Sequence, residues 1–380
     1  MDQTFPLWDT PETHVRAGLG DMPALYLCPS ALQARARRFL AGFPGMVTYA
    51  VKANPSREVV ENLATAGITG FDVASVAEIE LVRSITPKAA LHYNNPVRSR
   101  GEIIAAARMG VRSWSVDSAS ELAKLAELLA DHGAHEISVR FKLPVSGATY
   151  DFGAKFGAEP GLAAELLAQT AAFGFRPSLT FHPGTQCIDP DAWRLYIAEA
   201  ARIVAQSGIA IERLNVGGGF PSSRGDGAPE PEAFFTAIAE AMAEHFPESP
   251  ALVCEPGRGL VADAFAVALR VRAVRDGGDV FLNDGIYGLM SEQHILGRLP
   301  RIRALRPDGS PVGGAPVARR LFGPTCDSID VLPGLTDLPA DIAEGDVVLF
   351  GSMGAYSTAT STSFNGFGEA EMVSVHNLTI

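Results

Sequence analysis

Between about residue 45 and residue 257 the chain alternates short, β-prone apolar runs with longer segments in which apolar positions recur on one helical face. The short runs are Thr48–Val51, Gly70–Val73, Ala89–Tyr93, Ser113–Val116, Ile137–Phe141, Ser178–Phe181, Arg213–Val216 and Leu252–Cys254. Strands separated by helical patterns predict βαβ units and a parallel sheet. The helices announce their starts: Ser75-x-x-Glu78 and Ser118-x-x-Glu121 read as capping boxes, and Leu122, Leu125, Leu128 and Leu129 then share a face. Eight strand-helix units predict a closed α/β barrel. An open doubly wound sheet is the rival, but its G-x-G-x-x-G fingerprint does not follow the first strand.

After about residue 262 the pattern changes to β-branched runs, Ala264–Val274, Asp279–Leu282 and Asp346–Phe350, separated by Gly, Pro and Asp. This predicts a second, mostly β domain. Pro307–Pro316 reads as a long exposed turn and Ser222–Pro231 as another loop.

Composition narrows the class. At 380 residues, 47% hydrophobic and 19% charged, the chain is globular and longer than one ordinary domain. No apolar run is long enough for a membrane span, and Met1-Asp2-Gln3-Thr4 lacks the basic start of a secretory signal, so a cytoplasmic protein is expected. The four cysteines, Cys28, Cys187, Cys254 and Cys326, are too scattered for a zinc site, and no metal is expected. A net charge of −12 argues against nucleic acid and suits a cationic small substrate.

In barrel enzymes the reactive groups come from the C-terminal ends of the strands. Here the runs are followed by, or end in, Lys52, Asp72, Asn94 and Asn95, Asp117, Arg140, His182, Gly217-Gly218-Gly219, and Glu255 with Arg258. Taken singly, Lys52 is a solvated cation, His182 a core histidine and Asp72 or Asp117 a helix cap. Eight such positions in register are harder to dismiss. Residues without Cβ let backbone N–H groups close on a phosphate, and Arg258 strengthens that reading of the glycines. A lysine, a phosphate cradle, a carboxylate and a flat ring describe a site for pyridoxal 5'-phosphate. Lys52 would hold its aldehyde, Glu255 would face and keep protonated its pyridine nitrogen, and His182 would lie against its ring.

Tyr49-Ala50-Val51-Lys52-Ala53-Asn54, Phe71-Asp72-Val73-Ala74-Ser75, Gly217-Gly218-Gly219-Phe220-Pro221 and Glu255-Pro256-Gly257-Arg258 resemble successive motifs of the fold-type III pyridoxal-phosphate decarboxylases, the ornithine, diaminopimelate and arginine decarboxylase group. The likeness continues through Gly323-Pro324-Thr325-Cys326-Asp327, Met353-Gly354-Ala355-Tyr356 and Ser363-Phe364-Asn365-Gly366-Phe367, nearly the whole chain. It implies an alanine racemase-like barrel over residues 27–262 and a β domain built from residues 1–26 and 263–380. It also implies a homodimer with shared active sites, in which the partner copy supplies Cys326 to reprotonate the substrate carbon and Asp327, with Phe364, at the distal amine. Lys155 and Asp330 match positions that pair across that interface. Gly217, Gly218, Gly219, Gly257, Arg258, Tyr356 and Thr185 would surround the cofactor's phosphate end, with Arg140 near the ring. His182-Pro183-Gly184-Thr185-Gln186 departs from the family's usual His-Val-Gly-Ser run.

Asp327 directly after Cys326 favours a plain ammonium on the substrate, so L-ornithine is expected first, L-lysine second and a less common basic amino acid third, in polyamine biosynthesis. The stretch Tyr287–His294 occupies the family's specificity element without its Tyr-Asp pair, and Glu292 is the candidate substitute. Diaminopimelate or carboxynorspermidine decarboxylation, alanine racemisation and a catalytically silent regulatory homologue are the alternatives. Cys326, Asp327 and Glu255 weigh against racemisation, and Lys52, Cys326 and Asp327 against the silent homologue.

Overall fold

The computed structural model describes residues 7–144, 147–149, 153–224, 227–297 and 301–379. The chain divides into two compact units, one of Arg35–Pro221 and Pro229–Leu260, the other of Met1–Ala34, Ser222–Ala228 and Val261–Ile380.

The first unit is a closed barrel of eight parallel strands. They are β1 (Met46–Ala50), β2 (Gly70–Val73), β3 (Ala90–Tyr93), β4 (Ser113–Val116), β5 (Glu136–Arg140), β6 (Arg176–Thr180), β7 (Arg213–Asn215) and β8 (Ala251–Cys254). Each lies within two residues of its sequence expectation, and β8 closes on β1 through Val253 opposite Met46. The open-sheet alternative is excluded by that closure. Side chains alternate along each strand. One set, including Tyr49, Phe71, Leu91, Trp114, Ile137, Val139, Leu179 and Leu214, is fully buried and apolar. The other set is polar, with Asp72 opposite His92 and Ser115 opposite Ser138.

Local chemistry sets the helix boundaries. Helix Arg57–Ala66 stops at Gly67, whose φ of 110° is open to glycine. Helix Arg100–Arg108 starts with a reciprocal capping box between Ser99 and Glu102. The boxes expected at Ser75 and Ser118 are only half made. Both serines accept from the backbone three residues on, but Glu78 turns to the Ala74 N–H at 2.7 Å. Glu121 binds Lys124 at 2.6 Å. Leu122, Leu125 and Leu129 are buried as the face predicted, whereas Leu128 is only half-buried.

The second unit is a β-rich sheet in the order Leu7–Trp8, Glu371–Val375, Ala24–Leu27, Phe265–Val274, Val280–Leu282, Leu321–Phe322. Val347–Gly351 pairs with Phe265–Val274 and with Ile302–Leu305. Its core gathers Val15, Tyr26, Ala266, Leu305, Val347, Leu349 and Val373. The segment expected as a long turn at Pro307–Pro316 is a tight reversal instead: Arg306 N–H binds the Ser310 carbonyl at 2.7 Å, and the chain re-enters a strand at Pro316. Among the described residues, no helix is long and apolar enough to cross a membrane.

Candidate active site

Lys52 stands at the C-terminal mouth of the barrel because β1 runs straight into a single 3₁₀ turn, Val51–Ala53. Val51 and Ala53 are buried and anchor the turn. The Lys52 side chain stays 43% exposed, with Nζ 3.7 Å from Oδ2 of buried Asp72 on β2.

Glu255 follows β8 and is 6% exposed. Its Oε1 accepts from Nδ2 of Asn94 at 2.8 Å and from Nδ2 of Asn215. Burial pushes its carboxyl up to about 8 and Asp72 adds to the rise, while Lys52, Arg140 and the Asn215 bond oppose it. A cation set beside this carboxylate would reverse the penalty, since opposite charge favours the ionised form.

His182 follows β6 after Phe181. Its Nδ1 accepts from the Gly184 N–H at 3.0 Å, which leaves the ring proton on Nε2. Burial, with Lys52 and Arg140 nearby, drives its pKa well down, so the ring is neutral and suited to flat contact.

The triple glycine is demanded by close approach. A Cβ on Gly217 would lie 2.1 Å from the Phe181 carbonyl oxygen, one on Gly218 2.7 Å from that of Glu255, and one on Gly219 2.3 Å from that of Gly184. Gly217 and Gly219 also have φ of +71° and +89°. Gly257 packs similarly against Ala53. Beside this cradle, Nη2 of buried Arg258 lies 3.5 Å from Oγ1 of Thr185.

A small, mostly polar cavity runs among Lys52, Asn94, Ser115, Arg140, Thr180, His182 and Glu255. The residues fit pyridoxal phosphate: an amine, a carboxylate across the cavity, a neutral ring, and a cradle that any Cβ would fill. The structure thus brings together Lys52, Asp72, Asn94, Arg140, His182 and Glu255, with Gly217–Gly219, Gly257, Thr185 and Arg258 around the same mouth. It does not bring in Asn95 or Asp117. The first accepts from Val97 N–H in a turn, and the second tethers Gly157 N–H at 3.0 Å. Sequence reasoning missed Ser115, Thr180 and Asn215, whose signal was strand parity with Asp72. It also missed Glu78, a half-buried carboxyl pushed up to about 7 by desolvation.

In the β unit, Cys326 is exposed, and its Sγ donates to Oδ1 of Asn365 at 3.4 Å. Tyr287 Oη donates to Oδ2 of Asp327 at 2.6 Å, which holds that carboxyl below its usual range. Phe364 packs on Tyr287 with ring centroids 4.6 Å apart. A tyrosine-aspartate pair therefore does form, between two loops distant in sequence. Glu292 is 8% exposed in helix Ser291–Leu296, so Asp327 is the more open carboxylate. Tyr356 is half-buried beyond Val347–Gly351, with φ of 54°. Asp330 is buried and accepts from Ile286 N–H, Thr325 N–H and the Thr325 hydroxyl. Exposed Lys155 lies over the Phe156 ring at 4.9 Å.

A closed parallel barrel with a lysine, a glycine cradle and a buried carboxylate at its C-terminal mouth defines a cofactor-dependent barrel enzyme. Residues 30–262 match the family model described as pyridoxal-dependent decarboxylase, pyridoxal binding domain, and the chain belongs to that family. It is 32% identical to ornithine decarboxylase of Mus musculus over 355 residues, 87% of this chain and 75% of the relative. The arginine decarboxylase of Paramecium bursaria Chlorella virus, solved bound to agmatine, superposes with a TM-score of 0.85 at 26% identity, covering 95% of this chain and 98% of the other. The lysine/ornithine decarboxylase of Vibrio vulnificus, solved with cadaverine, gives 0.82 at 28% identity over 93% and 95%. The protein is a pyridoxal-phosphate-dependent decarboxylase, a lyase with an ornithine decarboxylase-like barrel.

Proposed function

We propose that the protein decarboxylates a basic L-amino acid, L-ornithine to putrescine before L-lysine to cadaverine, as a step in polyamine biosynthesis in the cytoplasm. The carrying observation is the half-buried Asp327–Tyr287 pair next to exposed Cys326: a carboxylate for a distal ammonium, one residue from a thiol able to protonate a carbon.

Bound pyridoxal phosphate supplies an electron-accepting ring for the electrons left as carbon dioxide departs. Lys52 would hold the cofactor through its amine. Asp72, 3.7 Å away, holds the lysine's charge near the site. Glu255, fixed by Asn94 and Asn215, would keep a proton on the ring nitrogen. His182 would supply a flat neutral face to the ring, and Arg140 would serve the ring end of the site. Gly217, Gly218, Gly219, Thr185, Arg258 and Tyr356 would hold the phosphate. Cys326 would deliver a proton to Cα, acting as a general acid. Asp327, with Tyr287 and Phe364 behind it, holds the distal ammonium.

In this reading two copies assemble with shared active sites, each giving Cys326 and Asp327 to its partner, and Lys155 and Asp330 lie at that interface. The exposure of Cys326 within its own chain supports it. Buried Glu292 bears on chain-length preference from behind. Release of carbon dioxide from ornithine, lysine, arginine, diaminopimelate and carboxynorspermidine tests the proposal. Ornithine and lysine should lead; if all remain intact while alanine racemises, a different reaction is established.

A further inference from the structure

The barrel interior does not follow the usual rule for eight parallel strands, whose inward positions are filled by branched apolar side chains. Here the strand register places Asp72, His92, Ser113 and Glu136 side by side around the wall, and Ser115, Ser138 and Ser178 in a second row. All are buried. At the lower end, Arg213 reaches Glu136 at 3.3 Å and Nε2 of His92 at 3.4 Å. Four fully enclosed oxygens on these inward positions lack a hydrogen-bond partner: Asn94 Oδ1, Ser115 Oγ, Ser178 Oγ and Glu136 Oε1. They step along the barrel from the cofactor cavity to its opposite mouth. An unsatisfied buried oxygen is costly, and native proteins pair nearly all of them, with protein or with ordered water.

We infer that the barrel lumen binds a file of ordered water molecules, reaching from Asn94 and Ser115 in the lining of the cofactor cavity to Glu136 and Arg213 at the N-terminal mouth. The water satisfies these oxygens and lowers the cost of keeping Asp72 and Glu255 charged in the interior. The hydration stands apart from the substrate reading; only its effect on Glu255 bears on catalysis.

A crystal structure of the holoenzyme at a resolution that shows water tests the site. Density within hydrogen-bond distance of Ser115 Oγ, Ser178 Oγ and Glu136 Oε1 is expected. Side chains paired directly with one another, with no density between them, overturn it. A second arm uses Ser178→Val and Ser178→Ala. Valine favours strands and would fill a dry void, raising the melting temperature. In a hydrated lumen it displaces water and strands its neighbours, so the melting temperature falls by about 2 °C or more, and falls further than in the alanine variant. Both variants should keep the bound cofactor's visible absorption. In Ser178→Val the acid limb of the kcat profile should move to higher pH, because Glu255 ionises less readily beside a dry lumen. A rise in melting temperature, or an unmoved acid limb, contradicts the inference.

Discussion

Nδ2 of Asn94 on the loop after β3 donates to Oε1 of Glu255 after β8 at 2.8 Å, and Asn215 donates to the same oxygen. Two amides from different strands thus fix one carboxylate oxygen and leave the other side of the group to face a ring nitrogen. Replacing Glu255 by glutamine keeps the shape and removes the charge. The Glu255→Gln enzyme should retain a yellow cofactor but lose roughly 10²–10³-fold in kcat, the scale of removing one preorganised electrostatic partner. Steady-state kinetics beside an absorption spectrum checks both halves.

The same residue makes stability depend on pH in the cofactor-free protein. Its carboxyl sits at about 8 folded against an ordinary 4.5, so the folded state holds a proton that the unfolded chain has released. Its stabilising contribution is full below 4.5 and is lost as pH rises through about 8. Glu78, at about 7, acts in the same direction. Buried His92, lowered to about 4 by burial first and Arg213 second, acts oppositely: its contribution is present above 6.5 and is lost as pH falls towards 4. Comparing wild type with Glu255→Gln isolates one group. The variant's unfolding free energy should match wild type near about pH 5 and exceed it near about pH 9, by on the order of a few kcal/mol. Bound cofactor should shrink that gap.

Gly219 offers a test of the phosphate cradle. Its φ of +89° and the 2.3 Å approach of a built Cβ to the Gly184 carbonyl oxygen leave no room for alanine. Gly219→Ala should weaken cofactor binding roughly 10- to 100-fold, from strain of about 1–3 kcal/mol. Titration of the apo protein with pyridoxal phosphate reads this directly, and unchanged affinity would remove the cradle from the phosphate site.

Shared active sites predict complementation. Lys52→Ala and Cys326→Ala chains should each be nearly inactive alone. Refolded together in equal amounts, half the dimers are mixed and carry one intact site of two, so about a quarter of wild-type activity should return. No recovery would mean that each chain completes its own site.

The barrel was legible in sequence because its strands are short and β-prone and several of its helices start at a serine or proline, as at Ser75, Ser99, Ser118 and Pro160, signals that local sequence carries. Lys52, Glu255 and the glycines were legible because few other roles demand those residues at strand ends. The polar lumen was hidden: Ser115, Ser138 and Ser178 look like ordinary strand residues until the closed sheet turns them inward. Tyr287 and Asn365 were missed as partners of Asp327 and Cys326 because loops far apart in sequence bring them together, and periodicity says nothing about such contacts. The half-made boxes at Ser75 and Ser118 show the converse, where Glu78 and Glu121 found better partners in Ala74 and Lys124.

The proposed role of the Lys52 amine, to carry the cofactor, is open to direct chemical trapping. Borohydride reduction of the yellow protein followed by peptide mapping should place a pyridoxyl adduct on Nζ of Lys52, and the adduct and colour should both vanish in Lys52→Ala. An adduct on another lysine, or colour that survives in the variant, contradicts the account.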